Sequence, residues 1–347
     1  MECPVFQIVL RSADAKMTAM NDPQLRPRRL RRGQILRDAV ADVSLSADDL
    51  IYPLFVKAGK QANPVSSMPG VSQLPVDQAM DTIRQCARKG LKQFILFGVT
   101  SASKKDASGS YAREPSAPVN LVLQAVREAD LDVIMYSDLC FCEYTDHGHC
   151  GVLCEDDDKW IVDNDRTLEL LGQTAVRQAQ SGADVVAPSG MIDGQVGTIR
   201  RALDDHGFSR VMILSYSIKY ASNLYGPFRD AGEGGMKFGD RQGYQMDFRR
   251  HREWQTELEI DLQQGADMVM VKPAAAYLDV IYQVRQKCQV PLAAYHVSGE
   301  YAQIHAASQR GWLDLKETAL EYTYAIKRAG ADLILTYFAP ELVKWLS

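Results

Sequence analysis

The sequence predicts a (β/α)₈ barrel preceded by an N-terminal extended arm. Eight short apolar runs recur, amphipathic stretches of helical length lie between most of them, and a Gly-Ala-Asp junction occurs three times. The runs are nearly continuous, which is typical of parallel strands covered on both faces. A doubly wound sheet is the alternative. It predicts a glycine-rich phosphate loop after the first strand, and residues 55–70 do not have that composition.

The first 45 residues differ from the rest of the chain. Residues 24–38 hold six arginines and show no strand pattern. We therefore expect residues 1–45 to form an arm that packs on a neighbouring subunit, and residues 46–347 to form the barrel.

The eight predicted strands share their apolar character and their spacing. They span residues 50–56, 93–99, 132–138, 184–189, 211–217, 268–273, 291–298 and 333–338. Residues 76–90 and 166–182 have the amphipathic pattern of helices between strands. The repeated junctions lie at 181–186, 264–269 and 329–334. Their glycine suits a helix C-terminus because it adopts left-handed backbone geometry without penalty.

The composition excludes several classes of protein. Of 347 residues, 46% are hydrophobic, and the net charge is −5, so we expect no nucleic-acid partner. No apolar run is long enough to span a membrane, and no basic region precedes the short apolar stretch near the N-terminus. Four of the seven cysteines fall between residues 140 and 154. This clustering predicts a metal site in a reducing compartment, the cytoplasm, rather than a disulfide framework.

Polar residues lie at or just past the ends of most of the predicted strands. The active site of such a barrel lies at the C-terminal ends of its strands, so these side chains should share one mouth. In strand order, from the third to the eighth, they are Asp138, Ser189, Lys219, Lys272, Ser298 and Tyr337.

Two of these residues are lysines. Lys272 directly follows an apolar strand, where its amine would be poorly solvated, and Lys219 can supply a second cation nearby. Desolvation and a neighbouring positive charge both lower an amine's pKa, which leaves a neutral amine able to attack a ketone. A single lysine at a strand end more often extends its ammonium group to water, so the pair carries this prediction.

Residues 223–245 read as a long loop with six glycines. Arg229 and Arg241 can bind a carboxylate by paired hydrogen bonds. A solvated loop would not need Tyr225, Phe228 and Phe238. We therefore predict a lid over an acidic substrate, with Tyr225 and Phe228 among its contacts.

The cysteines have the spacing C-x-C-x₇-C at Cys140, Cys142 and Cys150. Three thiolates leave a tetrahedral zinc open to water or substrate, which indicates a catalytic site. Cys154 is an alternative fourth ligand, which would close the site. His147 and His149 lie in the same stretch, and we expect them to orient the loop.

Three motifs resemble one known family. "SYSIKYASNLYGPFRDA", "MVKPAAAYLD" and "YHVSGEYA" occur in order and are similar to those of the porphobilinogen synthase family, also called 5-aminolevulinate dehydratase. The resemblance runs from about residue 26 to the C-terminus. It implies a (β/α)₈ barrel with an N-terminal arm, usually a homo-octamer. It also implies a lyase that condenses two molecules of 5-aminolevulinate to porphobilinogen in tetrapyrrole and haem biosynthesis.

The resemblance also implies a role for each residue that matches a family motif. Lys272 matches the lysine that forms a Schiff base with the first substrate, and Lys219 matches the lysine that engages the second. Asp138 matches an aspartate beside the reacting amino group. The carboxylate of the second substrate would be held by Arg229, Arg241 and Gln245, and that of the first by Ser298 and Tyr337. The zinc ligands would be Cys140, Cys142 and Cys150.

Two positions concern further metals. Animal members of the family have a cysteine where this chain has Gly243, and use it with the residue matching His149 for a second zinc. Glu253 falls where many bacterial members bind an activating Mg²⁺. By chemistry alone, Glu253 is equally well explained as a solvated carboxylate on a helix.

Two other functions remain open from the residues. A class I aldolase also forms a Schiff base at a lysine on the sixth strand, but has no need of three clustered thiols. A zinc-stabilised binding protein would use residues 26–37 to contact RNA or a membrane. The acidic remainder of the chain and the lack of aromatic residues in that stretch argue against it.

Overall fold

The computed structural model describes residues 26–157 and 159–346. The chain divides into two compact units, residues 1–44 and residues 45–347. In the described part of the first unit lie a 3₁₀ helix, Pro27–Arg31, and helix α1, Gln34–Ala39. None of residues 26–44 is buried. The first 25 residues, which belong to the predicted arm, lie outside the described residues, and the arm stays a prediction.

Eight parallel strands form a closed barrel in the second unit. Each strand pairs with the next along the chain, and the last pairs with the first through Leu50–Ile334 and Ile51–Leu335. This closure confirms the predicted (β/α)₈ barrel and excludes the open doubly wound sheet. The strands are β1 Leu50–Lys57, β2 Gln93–Val99, β3 Ile134–Leu139, β4 Val185–Pro188, β5 Met212–Lys219, β6 Met268–Lys272, β7 Leu292–His296 and β8 Leu333–Thr336.

Helices follow the strands, and both predicted stretches are helical. All but α6, which lies over the barrel mouth, pack around the barrel. They are α2 Val76–Arg88, α3 Pro118–Glu128, α4 Asn164–Ser181, α5 Gln195–Asp205, α6 Gly226–Gly232, α7 Glu253–Gln263, α8 Leu278–Lys287, α9 Ser298–Gln309, α10 Leu315–Ala329 and α11 Ala339–Leu346. Two antiparallel ribbons are added, Asn63–Pro64 with Ser72–Pro75 and Leu153–Asp156 with Lys159–Val162. Short 3₁₀ helices span Ala47–Asp49, Ala102–Lys104, Ser110–Arg113, Asn223–Tyr225 and Ala275–Tyr277.

The strands are apolar throughout because both of their faces are covered. Every residue of β2, β6 and β7 is buried. One face of each strand fills the barrel interior and the other packs under the helices, so an alternating pattern would leave polar groups in the core. Each fully buried large aliphatic or aromatic side chain stabilises the fold by about 1.5–3 kcal/mol.

The repeated Gly-Ala-Asp junction begins with a left-handed glycine. Gly182, Gly265 and Gly330 have φ angles of 110°, 98° and 121°. A residue with a β-carbon is strained in this conformation, whereas glycine ends each helix there at little cost.

The aspartate of each junction joins two neighbouring strands. Its backbone N–H donates to a carbonyl oxygen at the start of the preceding strand, and its carboxylate accepts the N–H of that same residue. The pairs, with their carboxylate distances, are Asp184 with Met135 at 2.8 Å, Asp267 with Ile213 at 2.7 Å, and Asp332 with Leu292 at 2.8 Å. This two-way contact fixes the register in which neighbouring strands begin.

Within residues 26–157 and 159–346, no helix is both long and apolar enough to cross a membrane.

The junction predicts a measurable loss of stability. Asp267→Ala removes the acceptor of the Ile213 N–H, and a hydrogen bond to a charged group contributes about 1.5–3 kcal/mol. Because the junction is solvent-exposed, we expect the lower end of that range, and a fall of a few degrees in the thermal midpoint. Asp267→Asn keeps an acceptor oxygen and should lose less. An Asp267→Ala protein that melts at the parental temperature would contradict this role.

Candidate active site

Two lysines lie side by side at the C-terminal edge of the barrel. Lys219 is the last residue of β5, and Lys272 is the last residue of β6. The sequence had placed Lys219 just beyond its strand. The two are partners in the β5–β6 register, and both side chains are buried. Lys219 donates a hydrogen bond to the carbonyl oxygen of Ser189, the residue directly after β4.

This position changes the chemistry of the Lys272 amine. Burial, and then the positive charge of Lys219, lower the pKa of Lys272 to about 7. The negative groups Asp138 and Cys142 act in the opposite direction but do not cancel the effect. A substantial fraction of Lys272 is therefore neutral near pH 7, and its lone pair can attack a carbonyl carbon.

Four aromatic rings surround the Lys272 amine. Its Nζ lies 4.3 Å from the ring centroid of Tyr295 and 5.1 Å from those of Tyr216, Tyr225 and Phe228. We call these four residues the aromatic cage. The sequence indicated Tyr225 and Phe228 but missed Tyr216 and Tyr295, because a tyrosine inside an apolar strand is indistinguishable from an ordinary core residue.

Asp138 faces the two amines. It lies within β3, one residue before the strand ends, and was the last residue of the predicted strand. Burial, and then the nearby Glu143 carboxyl, raise the pKa of Asp138 to about 8, while both lysines oppose this shift. Its Oδ1 is buried and has no hydrogen-bond partner among the described residues. The carboxyl is therefore available to a group placed between it and the lysines.

The three predicted thiols converge next to this point. The Sγ atoms of Cys140, Cys142 and Cys150 lie within 4.8 Å of one another, and all three side chains are buried. Hydrogen bonds from Cys140 and Cys142 hold the pKa of Cys150 well below its usual range, while the pKa values of Cys140 and Cys142 themselves are raised. The group therefore holds one thiolate and two thiols when no metal is bound. Cys154 lies on the ribbon strand Leu153–Asp156 and is not a member of the group.

The two histidines of the same stretch use their ring nitrogens for loop contacts. His147 Nδ1 accepts the backbone N–H of His149 at 3.1 Å, and its Nε2 lies 3.3 Å from the carbonyl oxygen of Ala107. His149 Nδ1 lies 3.3 Å from the Tyr244 hydroxyl, and its Nε2 lies 3.1 Å from the Phe238 carbonyl oxygen. The His149 contacts connect the cysteine loop to residues 223–245, and the His147 contacts hold the loop itself and attach it to Ala107.

Residues 223–245 are less irregular than the sequence suggested. The prediction of a continuous loop was wrong for Gly226–Gly232, which form helix α6. Pro227 lies in the first turn, where its missing N–H costs no hydrogen bond and its fixed φ favours the helix.

Ser298 attaches this segment to the barrel. It is buried at the start of α9, and its hydroxyl accepts the N–H of Phe228 at 3.0 Å and lies 3.3 Å from the carbonyl oxygen of Leu224. Tyr337, just after β8, is also buried, and its hydroxyl lies 3.0 Å from that of Tyr295 in the aromatic cage. Ser298 and Tyr337, which are predicted to hold the carboxylate of the first substrate, thus both border the space around Lys272.

A second polar space lies under the same segment. Arg229, Arg241 and Gln245 line a cavity of ≈ 200 Å³. Arg241 donates to the carbonyl oxygens of Gly148 and Gly234 at 3.0 and 3.1 Å, which holds its guanidinium in place.

Several polar atoms of this cavity have no hydrogen-bond partner among the described residues. Both amide atoms of Gln245 and the Nε atoms of both arginines are buried, and none is hydrogen-bonded within the part of the chain that the structure describes. Burial, and then the charge of Arg241, lower the pKa of Arg229. Two neighbouring cations with free donors favour an anion, so the cavity suits a carboxylate.

Glu253 lies outside this cluster, at the first residue of α7. Its Oε1 lies 3.4 Å from Arg250, and its buried Oε2 has no partner in the described ranges. Asp193, Glu253 and Glu257 line a neighbouring cavity of ≈ 370 Å³. Burial, and then the nearby Asp261 carboxyl, raise the pKa of Glu257 to about 7.

Comparison with known proteins gives one consistent result. The family model for delta-aminolevulinic acid dehydratase matches residues 24–345. A delta-aminolevulinic acid dehydratase of Synechocystis sp. is 50% identical over 325 residues, which cover 93% of this chain and 99% of that protein. One of Archaeoglobus fulgidus is 47% identical, with 93% and 98% covered.

A solved structure matches the whole barrel. It is the delta-aminolevulinic acid dehydratase (porphobilinogen synthase) of Toxoplasma gondii ME49, in complex with the reaction product porphobilinogen. The two chains are 41% identical and superpose with a TM-score of 0.90 over 93% of this chain and 91% of that one.

The contact between α9 and residues 223–245 predicts the effect of a small substitution. A β-carbon at Gly299 would lie 2.5 Å from the backbone oxygen and 2.7 Å from the Cα of Leu224, so Gly299→Ala must displace the segment. Such overpacking costs about 1–3 kcal/mol. We expect a lower thermal midpoint and faster proteolytic cleavage within residues 223–245.

Gly226 provides a matched control on the same segment. It has helical backbone angles, and a β-carbon there meets no atom within 4 Å. Gly226→Ala should therefore behave like the parent. Equal proteolysis rates for Gly299→Ala and Gly226→Ala would show that the close approach does not hold the segment.

Proposed function

Since the chain belongs to the delta-aminolevulinic acid dehydratase family, we propose that it is the lyase that condenses two molecules of 5-aminolevulinate to porphobilinogen with loss of two waters. The observation that carries this proposal is the register pairing of two buried lysines, Lys219 and Lys272, beside a cavity with two arginines. Family membership decides against the aldolase, which would share only the lysine on β6.

Lys272 is the nucleophile toward the first substrate. Its neutral amine attacks the ketone carbon, and loss of water leaves a protonated Schiff base. Ser298 and Tyr337 hold the carboxylate of this substrate. Burial of the amine, its pKa of about 7 and the position of both hydroxyl groups beside the aromatic cage support this assignment.

The second substrate lies under residues 223–245. Arg229, Arg241 and Gln245 bind its carboxylate, as their unsatisfied donors and paired positive charges favour. Lys219 lies in register with Lys272 and engages its ketone, so the two substrates meet between adjacent strand ends. Asp138 faces both amines and takes up or returns the proton of the reacting amino group.

The cysteine group has the chemistry and dimensions of an open zinc site. A Zn–S bond of about 2.3 Å in tetrahedral geometry separates the sulfurs by about 3.8 Å. The three Sγ atoms lie within 4.8 Å of one another, and two of them, in Cys140 and Cys142, are 3.3 Å apart. A bound Zn²⁺ with a free position supplies Lewis acidity toward a carbonyl oxygen or a water molecule.

Three further features of the family extend the proposal. We propose a homo-octamer in which residues 1–45 contact neighbouring subunits. The cytoplasm is the proposed location, because the zinc-binding thiols must stay reduced. We also propose that Glu253 binds an activating Mg²⁺, which takes few protein ligands and keeps several of its waters. The unpartnered Oε2 and the neighbouring acidic groups support a cation there.

The first test concerns Lys272. Borohydride reduction in the presence of 5-aminolevulinate should add mass to the peptide that contains Lys272, and Lys272→Ala should abolish porphobilinogen formation. Lys316→Ala, on the exposed surface of α10, should keep parental activity. The proposal fails if the parent forms no porphobilinogen or if the adduct lies only on other residues.

The cysteines should separate into two classes. Cys140→Ser, Cys142→Ser and Cys150→Ser should each lose zinc and most activity but keep a folded barrel, because an open catalytic site is not what holds the strands together. Cys154→Ser, outside the group, should keep both zinc and activity. Zinc content after chelator competition and circular dichroism measure the two properties. An inactive, metal-free Cys154→Ser protein would indicate a closed four-cysteine site.

Glu253 should act separately from the zinc site. In the parent, added Mg²⁺ should raise activity and favour the larger oligomer. Glu253→Ala should remove both responses and keep the basal zinc-dependent activity. Activity assays and sizing chromatography measure these effects, and a parent that does not respond to Mg²⁺ would reject the site.

A further inference from the structure

We infer that the aromatic cage (Tyr216, Tyr225, Phe228 and Tyr295) stabilises the positive charge of the Schiff base at Lys272. The inference deepens the proposed function and rests on it. All four ring centroids lie within 5.1 Å of the Lys272 Nζ. A cation within about 6 Å of an aromatic ring is attracted by the ring quadrupole, most strongly where water is excluded.

The rings surround the atom that gains a permanent charge. The Nζ lone pair forms a bond to the ketone carbon, and the carbonyl oxygen leaves as water with one proton from the amine and one from solution. The nitrogen keeps its last proton and carries the charge of the C=N⁺ group. Each substrate that reacts therefore converts a partly neutral amine into a cation at the centre of the cage.

The cage favours this cation over the free ammonium. An ammonium ion is a compact, strongly hydrated charge with three donors, and burial removes that hydration. The iminium has one N–H, and its charge is shared with the carbon, so it loses less hydration on burial. The rings attract both cations. The cost of desolvation that opposes this attraction is large for the ammonium and small for the iminium.

The four cage residues come from several parts of the fold. Tyr216 lies on β5 and Tyr295 on β7, on either side of the strand that ends in Lys272, while Tyr225 and Phe228 come from residues 223–245. The cage is complete only when this segment lies over the barrel, held by the bond from the Phe228 N–H to Ser298. Stabilisation of the cation is thus coupled to the position of the segment.

Tyr216 allows the role of the aromatic ring to be separated from that of the hydroxyl group. Its hydroxyl is buried and makes no hydrogen bond to any residue that the structure describes, although the side chain lies in the barrel interior. Its ring also lies 5.6 Å from the Nζ of Lys219. A phenylalanine would keep these ring contacts, whereas leucine would fill the space without a quadrupole.

Charged groups also act on Lys272 and must be held constant in a test. Lys219 repels a cation there, while Asp138, Cys142 and Glu143 attract it. Fluorination of a phenylalanine changes none of these charges. It withdraws electron density from the ring and weakens cation–π attraction while nearly keeping the ring's shape.

Phe228 is the position for this test, because it has no hydroxyl group. The parent and proteins with mono-, di- and trifluorophenylalanine at position 228 are equilibrated with 4-oxopentanoate. This probe has the ketone and carboxylate of 5-aminolevulinate but no amino group, so reaction stops at the Schiff base. Borohydride trapping and peptide mass give the Schiff-base formation constant at Lys272.

The logarithm of this constant should fall linearly with the number of fluorines, so that the constant itself falls about tenfold over the series. The same substitutions at Phe97 serve as the control. Its ring packs 5.0 Å from that of Phe228 but is not one of the four cage rings, so the constant should stay within twofold of the parent. Tyr216→Phe should keep the constant, and Tyr216→Leu should lower it.

A constant that is independent of fluorination at Phe228, or that falls equally for Phe97, would overturn the inference. Equal constants for Tyr216→Phe and Tyr216→Leu would do the same. Absence of an adduct at Lys272 in the parent is a different result, since it would reject the proposed function itself.

Discussion

The active site depends on the burial of two amines at neighbouring strand ends. Parallel strands β5 and β6 end in register at Lys219 and Lys272. Because the barrel mouth excludes water from both, each amine meets the other's charge in a medium that screens it weakly. Burial first, and the charge of Lys219 second, therefore make Lys272 lose its proton more easily. The barrel thereby sets the reactivity of a side chain that is ordinarily inert as a nucleophile near neutral pH.

The surrounding groups balance this concentration of positive charge. Asp138, Cys142 and Glu143 oppose the positive charge of Lys219 at Lys272. The two arginines of the carboxylate cavity are further cations, which a substrate carboxylate can balance. Burial lowers the pKa of Arg241, but the neighbouring Cys150 and Cys142 sulfurs outweigh burial and raise it above the usual range. An anionic substrate and a divalent metal can both enter such a site, because each meets groups of the opposite sign.

The sequence predicted those features that depend on local pattern. Eight strands were recognisable because burial on both faces makes them apolar throughout, and the thiols because three lie within eleven residues. Tyr216 and Tyr295 were missed, because only closure of the barrel distinguishes a tyrosine beside a reactive amine from one in the core. The contact of Ser298 with Phe228 joins residues 70 positions apart and leaves no local signal. Helix α6 was hidden by glycines at both of its ends, although Pro227 was a signal for its start.

The direct measurement is an NMR titration of Lys272 in protein with ¹³C-labelled lysine, with the resonance assigned by its loss in Lys272→Ala. We expect a midpoint at about pH 7 in the parent. In Lys219→Met the midpoint should move to higher pH, because removal of the neighbouring cation makes the protonated form less costly. A parental midpoint near the ordinary lysine value of about 10.4 would contradict the account. So would a midpoint that does not respond to loss of Lys219.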